Sequence, residues 1–129
     1  MFRISKEFRF EAAHWLPDLP EGHQCGRVHG HSYTVRILLA AEVLRRPGFV
    51  ADFADLSLVK AYIDSTLDHR FLNEVLDVAP TSELLARHFY HWCTANLVLP
   101  GGVWVESVRV SETPTTYAEY LPASGGGDG

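Results

Sequence analysis

An α+β domain, with a four-stranded antiparallel sheet and two helices packed on one of its faces, is the fold this sequence predicts. Two periodicities and their order predict it. Apolar residues alternate along two N-terminal segments, and they recur at helical spacing along two central ones. Two short strand-like segments follow Pro100-Gly101-Gly102. Strands followed by helices followed by strands suit an antiparallel sheet with its helices segregated to one side.

The first alternating segment is 2–14, where Phe2, Ile4, Phe8, Phe10, Ala12 and His14 share one parity and Lys6 breaks it. Residues 15–28 hold Pro17, Pro20, Gly22 and Gly26 and read as a loop. Alternation resumes over 29–42 through Tyr33, Val35, Ile37 and Leu39, and Arg45-Arg46-Pro47-Gly48 reads as a turn. From Asp55 the period changes: Leu56, Val59, Tyr62, Ile63 and Leu67 fit one helical face, with Asp52 or Asp55 as N-cap. A second helix starts at Pro80-Thr81-Ser82-Glu83, with Thr81 as cap and Leu84, Leu85, His88, Phe89 and Trp92 as its apolar stripe. Segments 103–111 and 116–121, separated by a Thr-Pro turn, complete the sheet. The Gly-rich tail 123–129 is expected to be disordered, which leaves 1–122 as a single domain. Such a sheet has two open edges, and pairing between copies predicts a symmetric oligomer.

The chain has 129 residues, enough for one core and too few for two. Its hydrophobic share of 47% and charged share of 21% are ordinary for a soluble globular protein. A formal net charge of −5 argues against a nonspecific nucleic-acid binder, which needs basic surface. No apolar run is long enough to span a bilayer, and the N-terminus lacks the apolar stretch of a targeting segment. Two cysteines, Cys25 and Cys93, cannot build a disulfide framework; a reduced, cytoplasmic protein with one working thiol is the simpler reading. A Cys25–Cys93 bridge would consume that thiol.

The chemistry-bearing pattern is His14 together with Cys25-Gly26-Arg27-Val28-His29-Gly30-His31. Side chains two apart on a strand share a face, roughly 6.6–6.8 Å apart along the chain, so His29 and His31 can converge on one ion. Antiparallel pairing of the first two strands brings His14 beside them. Three imidazoles with an open fourth position make the arrangement of catalytic zinc (Zn2+). Cys25 is either a fourth ligand, closing the site, or a base or nucleophile beside the metal, its thiolate favoured by nearby positive charge. Spacing leaves the two readings even. Cys93, in mid-helix, reads as core. His23 reads as a loop residue, and His88 and His91 as flanks of the second helix. Asp68 at a helix C-terminus opposes the macrodipole, a mild pointer to function, whereas His69 there is favourable. Glu83 suits a first helical turn on electrostatic grounds alone. Glu112 ends a strand and means little by itself.

Taken in order, Ala12-Ala13-His14, Cys25-x-x-x-His29-Gly30-His31, Leu67-Asp68-His69-Arg70-Phe71-Leu72-Asn73, Pro80-Thr81-Ser82-Glu83 and Ser111-Glu112-Thr113 resemble the 6-pyruvoyltetrahydropterin synthase superfamily. The three-residue gap between Cys25 and His29 is most like the 6-carboxytetrahydropterin synthases of the queuosine pathway. The resemblance runs through residues 2–121. It implies the tunnelling fold, whose subunits join edge to edge into trimeric barrels stacked as a homohexamer, with active sites at subunit interfaces. It implies a zinc-dependent lyase that converts 7,8-dihydroneopterin triphosphate to 6-carboxy-5,6,7,8-tetrahydropterin, acetaldehyde and triphosphate. By position, His14, His29 and His31 would hold zinc and Cys25 would accept the proton, which favours base over fourth ligand. His69 would relay protons with Asp68 polarising its ring, and Glu112 would join that network. Glu83 would anchor the pterin, with Thr81 and Ser82 beside it at the helix start. Arg27, Arg70 and Lys6 are candidates for the triphosphate. The pyruvoyl-forming elimination, a side-chain cleavage, a Cys-His hydrolase and a non-catalytic metal-binding scaffold are the rival readings.

Overall fold

A computed structural model describes residues 1–123; the expected tail beyond Ala123 lies outside the described residues. Strand β1 (Phe2–His14) pairs antiparallel with β2 (His29–Ala41) along its whole length, from Phe2 opposite Ala41 to His14 opposite His29. The shared parity explains the register. One residue of slip would turn Phe8, Phe10 and Ala12 to solvent, whereas all three are buried together with Tyr33, Val35, Ile37 and Leu39. Toward the other edge, β4 (Val103–Thr113) pairs antiparallel with β2, and β5 (Thr116–Tyr120) returns beside it after a turn at Pro114-Thr115. A bulge at Leu38/Leu39 interrupts the β2–β4 register.

The sheet has five strands, not four, in the order β3-β1-β2-β4-β5. The addition, β3 (Arg70–Phe71), runs parallel to β1, with Arg70 opposite Ala12 and Phe71 opposite Ala13. Two residues carry no readable alternation. Only the distant partner strand makes them a strand, so the sequence pattern could not reveal them.

The first helical segment is also more varied than its periodicity predicts. Asp52 caps a 3₁₀ turn (Phe53–Leu56) by accepting the Ala54 N–H at 2.9 Å, and Asp55 sits inside that turn. Helix α1 (Ser57–Tyr62) follows and widens into a π turn (Ile63–Leu67), closed by the Asp68 N–H donating to the Ile63 carbonyl at 2.9 Å. A four-residue helix, α2 (Leu72–Val75), was not expected. Helix α3 (Ser82–Asn96) begins where its cap predicts, with Thr81 Oγ1 accepting the Leu84 N–H at 3.1 Å.

These helices cover one sheet face. Leu56, Val59, Ile63 and Leu67 from the first segment and Leu85, Phe89 and Cys93 from α3 are fully buried against the strand residues above. Each of these Leu, Val, Ile and Phe side chains contributes roughly 1.5–3 kcal/mol of hydrophobic stabilisation. The buried stripe of α3 is centred on Leu85, Ala86, Phe89, Tyr90 and Cys93, one position past the expected one, and Leu84, His88 and Trp92 lie half-buried on its flank. Periodicity weights large apolar residues and undervalues Ala86 and Cys93. Both cysteines are free thiols, and burial pushes that of Cys93 up to about 12. Among the described residues no helix is long and apolar enough to cross a membrane.

Candidate metal centre and acid–base groups

The full-length β1–β2 register puts His14 opposite His29, with His31 two residues further along the same face. Their ring centroids lie 4.5 Å (His14–His29), 5.1 Å (His14–His31) and 4.9 Å (His29–His31) apart. One nitrogen from each ring falls within 4.8 Å of the other two. His14 and His29 approach most closely, Nε2 to Nε2, at 3.0 Å.

Backbone carbonyls set which nitrogen faces inward. His14 Nδ1 donates to the Pro80 carbonyl at 2.7 Å and His29 Nδ1 to the Arg27 carbonyl at 2.6 Å. Each Nδ1 therefore carries the hydrogen and each Nε2 keeps a lone pair directed at its neighbour, the tautomer that metal-ligating histidines adopt. Two lone pairs facing each other repel unless a cation lies between them. His31 Nε2 is buried with no hydrogen-bond partner, a condition that costs about 1–3 kcal/mol when nothing compensates it. The Glu112 carboxylate approaches from β4, 3.5 Å from His31 Nε2 and 3.9 Å from His14 Nε2. Burial lowers the basicity of His14 below the ordinary histidine value and keeps it in the neutral, ligating form. Three imidazoles on adjoining strands fit zinc.

Behind the cluster, Tyr33 supports His14. Its hydroxyl lies 3.1 Å from His14 Nδ1, and burial raises the phenol well above its ordinary range, so it stays protonated. Tyr33 in turn stacks on Phe10 at 4.9 Å between centroids. Neither this tyrosine nor the Pro80 carbonyl was foreseen as part of the site. The only sequence signal was Tyr33's place two residues after His31 in the same alternation.

A second constellation lies at the β1 edge. The π turn delivers Asp68, whose Oδ1 accepts the Glu11 N–H at 2.8 Å while its Oδ2 lies 2.9 Å from His69 Nδ1. The Glu11 N–H and the neighbouring imidazole hold this carboxyl below the usual range. His69 has a left-handed backbone, φ 58°, and its N–H donates to the Glu11 carbonyl at 2.6 Å. A non-glycine residue in this region costs energy, and such residues concentrate at functional positions. Its ring is 77% exposed and opens onto a cavity of about 540 Å³ that His31, Ser32 and Arg70 also line. His31 is the one member of the three-histidine group that lines this cavity with His69 among the described residues.

The remaining candidates sit as follows. Cys25 is a half-exposed free thiol in a 3₁₀ turn (Gln24–Gly26), and it is not part of the three-histidine group. Glu112 is brought to the histidines, whereas no contact joins it to Asp68 or His69 among the described residues. Thr81 spends its hydroxyl on the helix cap, one residue from the Pro80 carbonyl that holds His14. Ser82 and Glu83 follow in the first turn of α3, and Glu83 is exposed. Glu11, whose backbone pins both members of the dyad, was missed because main-chain contacts leave no trace in residue type.

Known proteins resemble this chain in sequence and in fold. A family model described as 6-pyruvoyl tetrahydropterin synthase matches residues 3–123. A 6-carboxy-5,6,7,8-tetrahydropterin synthase from Synechocystis sp. is 41% identical over 127 residues, covering 94% of this chain and 94% of its own. One from Bacillus subtilis is 36% identical over 136 residues, covering 99% of this chain and 90% of its own. The structure of Caenorhabditis elegans 6-pyruvoyl tetrahydropterin synthase superposes with a TM-score of 0.80 at 25% identity, over 95% of this chain and 96% of that one. With sequence matched over nearly its whole length and the tunnelling-fold architecture in common, the chain belongs to the 6-pyruvoyl tetrahydropterin synthase family.

Proposed function

We propose that this chain is a zinc-dependent lyase that converts 7,8-dihydroneopterin triphosphate and one water to 6-carboxy-5,6,7,8-tetrahydropterin, acetaldehyde and triphosphate, a step towards 7-deazapurines such as queuosine. The observation that carries it is the convergence of the His14, His29 and His31 nitrogens within 4.8 Å of one another, with His31 also lining the cavity that His69 lines. Relatives at 36% and 41% identity that bear the 6-carboxy name, together with the short Cys25–His29 gap, favour this product over the 6-pyruvoyl one. The two outcomes are chemically close: a 6-pyruvoyl pterin plus one water has the atoms of the 6-carboxy pterin plus acetaldehyde.

His14, His29 and His31 hold the zinc. When bound, zinc supplies Lewis-acid polarisation of the substrate's side-chain oxygens, which makes the adjacent C–H bonds more acidic. Cys25 takes a proton from the side chain as its thiolate. His69 relays a proton at its ring nitrogen, with Asp68 orienting Nδ1 and balancing the charge of the imidazolium. Glu112, close to both His14 and His31, completes the acid–base network from the ligand side. Glu83 accepts two parallel N–H bonds from the 2-amino and ring N–H edge of the pterin, and Thr81 and Ser82 shape that contact at the helix start.

The working assembly is a homohexamer of two stacked trimers with sites between subunits. Open sheet edges support this reading: β5 ends the sheet on one side, and on the other β3 covers only Ala12 and Ala13 of β1. Two free thiols suit a reducing, cytoplasmic setting.

Incubating the zinc-loaded protein with 7,8-dihydroneopterin triphosphate and identifying the pterin by mass tests the assignment. The expected products are the 6-carboxy pterin and acetaldehyde. A 6-pyruvoyl product would overturn the product assignment and retain the site, and an untouched substrate would overturn the enzymatic reading.

A further inference from the structure

The loop that carries Cys25 is organised by one side chain that the proposed mechanism leaves unused. The Pro20-Glu21-Gly22-His23 turn closes with the His23 N–H donating to the Pro20 carbonyl at 3.0 Å, and Gly22 supplies the left-handed backbone, φ 85°, that it requires. His23 then caps the next turn twice. Its carbonyl accepts the Gly26 N–H at 2.9 Å, and its ring Nδ1 accepts the Cys25 N–H at 3.1 Å. The Cys25 carbonyl is fixed from the far side by the Leu16 N–H at 2.9 Å. Both backbone polar groups of Cys25 are therefore held, one of them by an imidazole. That ring is exposed, and this is its one hydrogen bond among the described residues.

We infer that His23 is a positioning residue for Cys25: by accepting the Cys25 N–H it fixes the 3₁₀ turn and hence the position of the thiol. The inference rests on the reading of Cys25 as the proton acceptor. A sulfur on the loop between β1 and β2 has no strand ladder of its own to hold it, and the 3₁₀ turn is three residues long. Acceptance by Nδ1 from the N–H two residues on has the geometry of an Asx turn, in which an Asn Oδ1 takes the same place. Asparagine is thus a chemically different side chain that restores the contact, whereas alanine is not.

The test compares His23→Ala, His23→Asn and Cys25→Ala in the zinc-loaded full chain. One readout is turnover of 7,8-dihydroneopterin triphosphate. The other is the rate at which iodoacetamide labels Cys25, followed by peptide mass; buried Cys93 serves as the unreactive internal control. His23→Ala is expected to lower kcat by about 10- to 100-fold, the effect of displacing a reacting group by about an ångström, with zinc content unchanged. It is also expected to change the Cys25 labelling rate, while His23→Asn matches the parent protein in both readouts. Wild-type labelling and turnover in His23→Ala would overturn the inference. Equal loss in Ala and Asn would overturn it too, since the ring would then act as more than an acceptor. If Cys25→Ala keeps full turnover, the proposed role of the thiol fails; the labelling comparison still decides whether His23 holds it. Should His23→Ala fail to fold, His23→Asn with parental kcat and labelling supports the inference and with impaired values overturns it.

Discussion

His14 Nδ1 donates to the Pro80 carbonyl across 2.7 Å, tying the last residue of β1 to the residue before the α3 cap. One hydrogen bond thus orients a candidate metal ligand and places the helix start, with Thr81, Ser82 and Glu83, next to the same site. The sheet and the helix layer meet there through a ligand.

This coupling predicts that metal and stability are linked. His14→Ala should abolish zinc retention and leave the Pro80 carbonyl unpaired in the interior, a loss of about 1–3 kcal/mol in urea unfolding beyond that of the metal. Tyr33→Phe keeps the ring packing and removes the hydroxyl beside Nδ1, so zinc affinity should fall about 10-fold in a competition titration. With free zinc held at about a hundredfold its dissociation constant, chelation should cost the parent protein about 2.7 kcal/mol of stability.

The Asp68–His69 pair separates strain from function. His69→Ala should lower kcat by about 100-fold or more, the usual loss for a general acid–base group. His69→Gly should lose the same activity yet be more stable than the alanine variant by about 1 kcal/mol, because φ 58° is costly for alanine and free for glycine. Asp68→Asn should keep a side-chain acceptor for the Glu11 N–H and its fold, and lose turnover. Steady-state kinetics and denaturant melts on the three variants check these outcomes.

Phe89 is fully buried in α3 and lies 6.1 Å, ring to ring, from Phe10 on β1. Phe89→Ala removes the contact that joins helix to sheet at mid-height. The expected cost is about 3–5 kcal/mol in equilibrium unfolding, with zinc affinity changed far less than stability.

His88 supplies a pH dependence whose sign can be worked out. Burial lowers its basicity below the ordinary 6.5, the His91 charge lowers it further and Asp77 opposes both; Tyr62 hydroxyl lies 2.5 Å from its Nε2. The native state therefore binds this proton less readily than the unfolded chain. The contribution is intact above about pH 6.5 and is lost as pH falls through the depressed native value. Urea midpoints between pH 7.5 and 5.5 should decline in the parent protein and decline less in His88→Leu.

Residue order already announced the β1–β2 pair, because alternation with one buried parity excludes every odd slip, and antiparallel pairing of the two segments brings His14 to His29. The Thr81 cap was legible, and the other cap was narrowed to Asp52 or Asp55, since capping is a local interaction between a side chain and an N–H two or three residues away. Buried Cys93 followed from mid-helix placement. What the linear pattern could not supply was every contact made by main chain at long range. Strand β3 exists only because two residues meet β1, and the π turn that presents Asp68 follows from no residue preference in 63–67. The Pro80 and Arg27 carbonyls that choose the histidine tautomers, and the Glu11 backbone that holds the dyad, look alike in any residue type. Side-chain periodicity reports which surface faces the core, and it is silent on where a carbonyl or N–H points once distant segments meet. Tertiary packing alone decided those directions, and with them the geometry of the site.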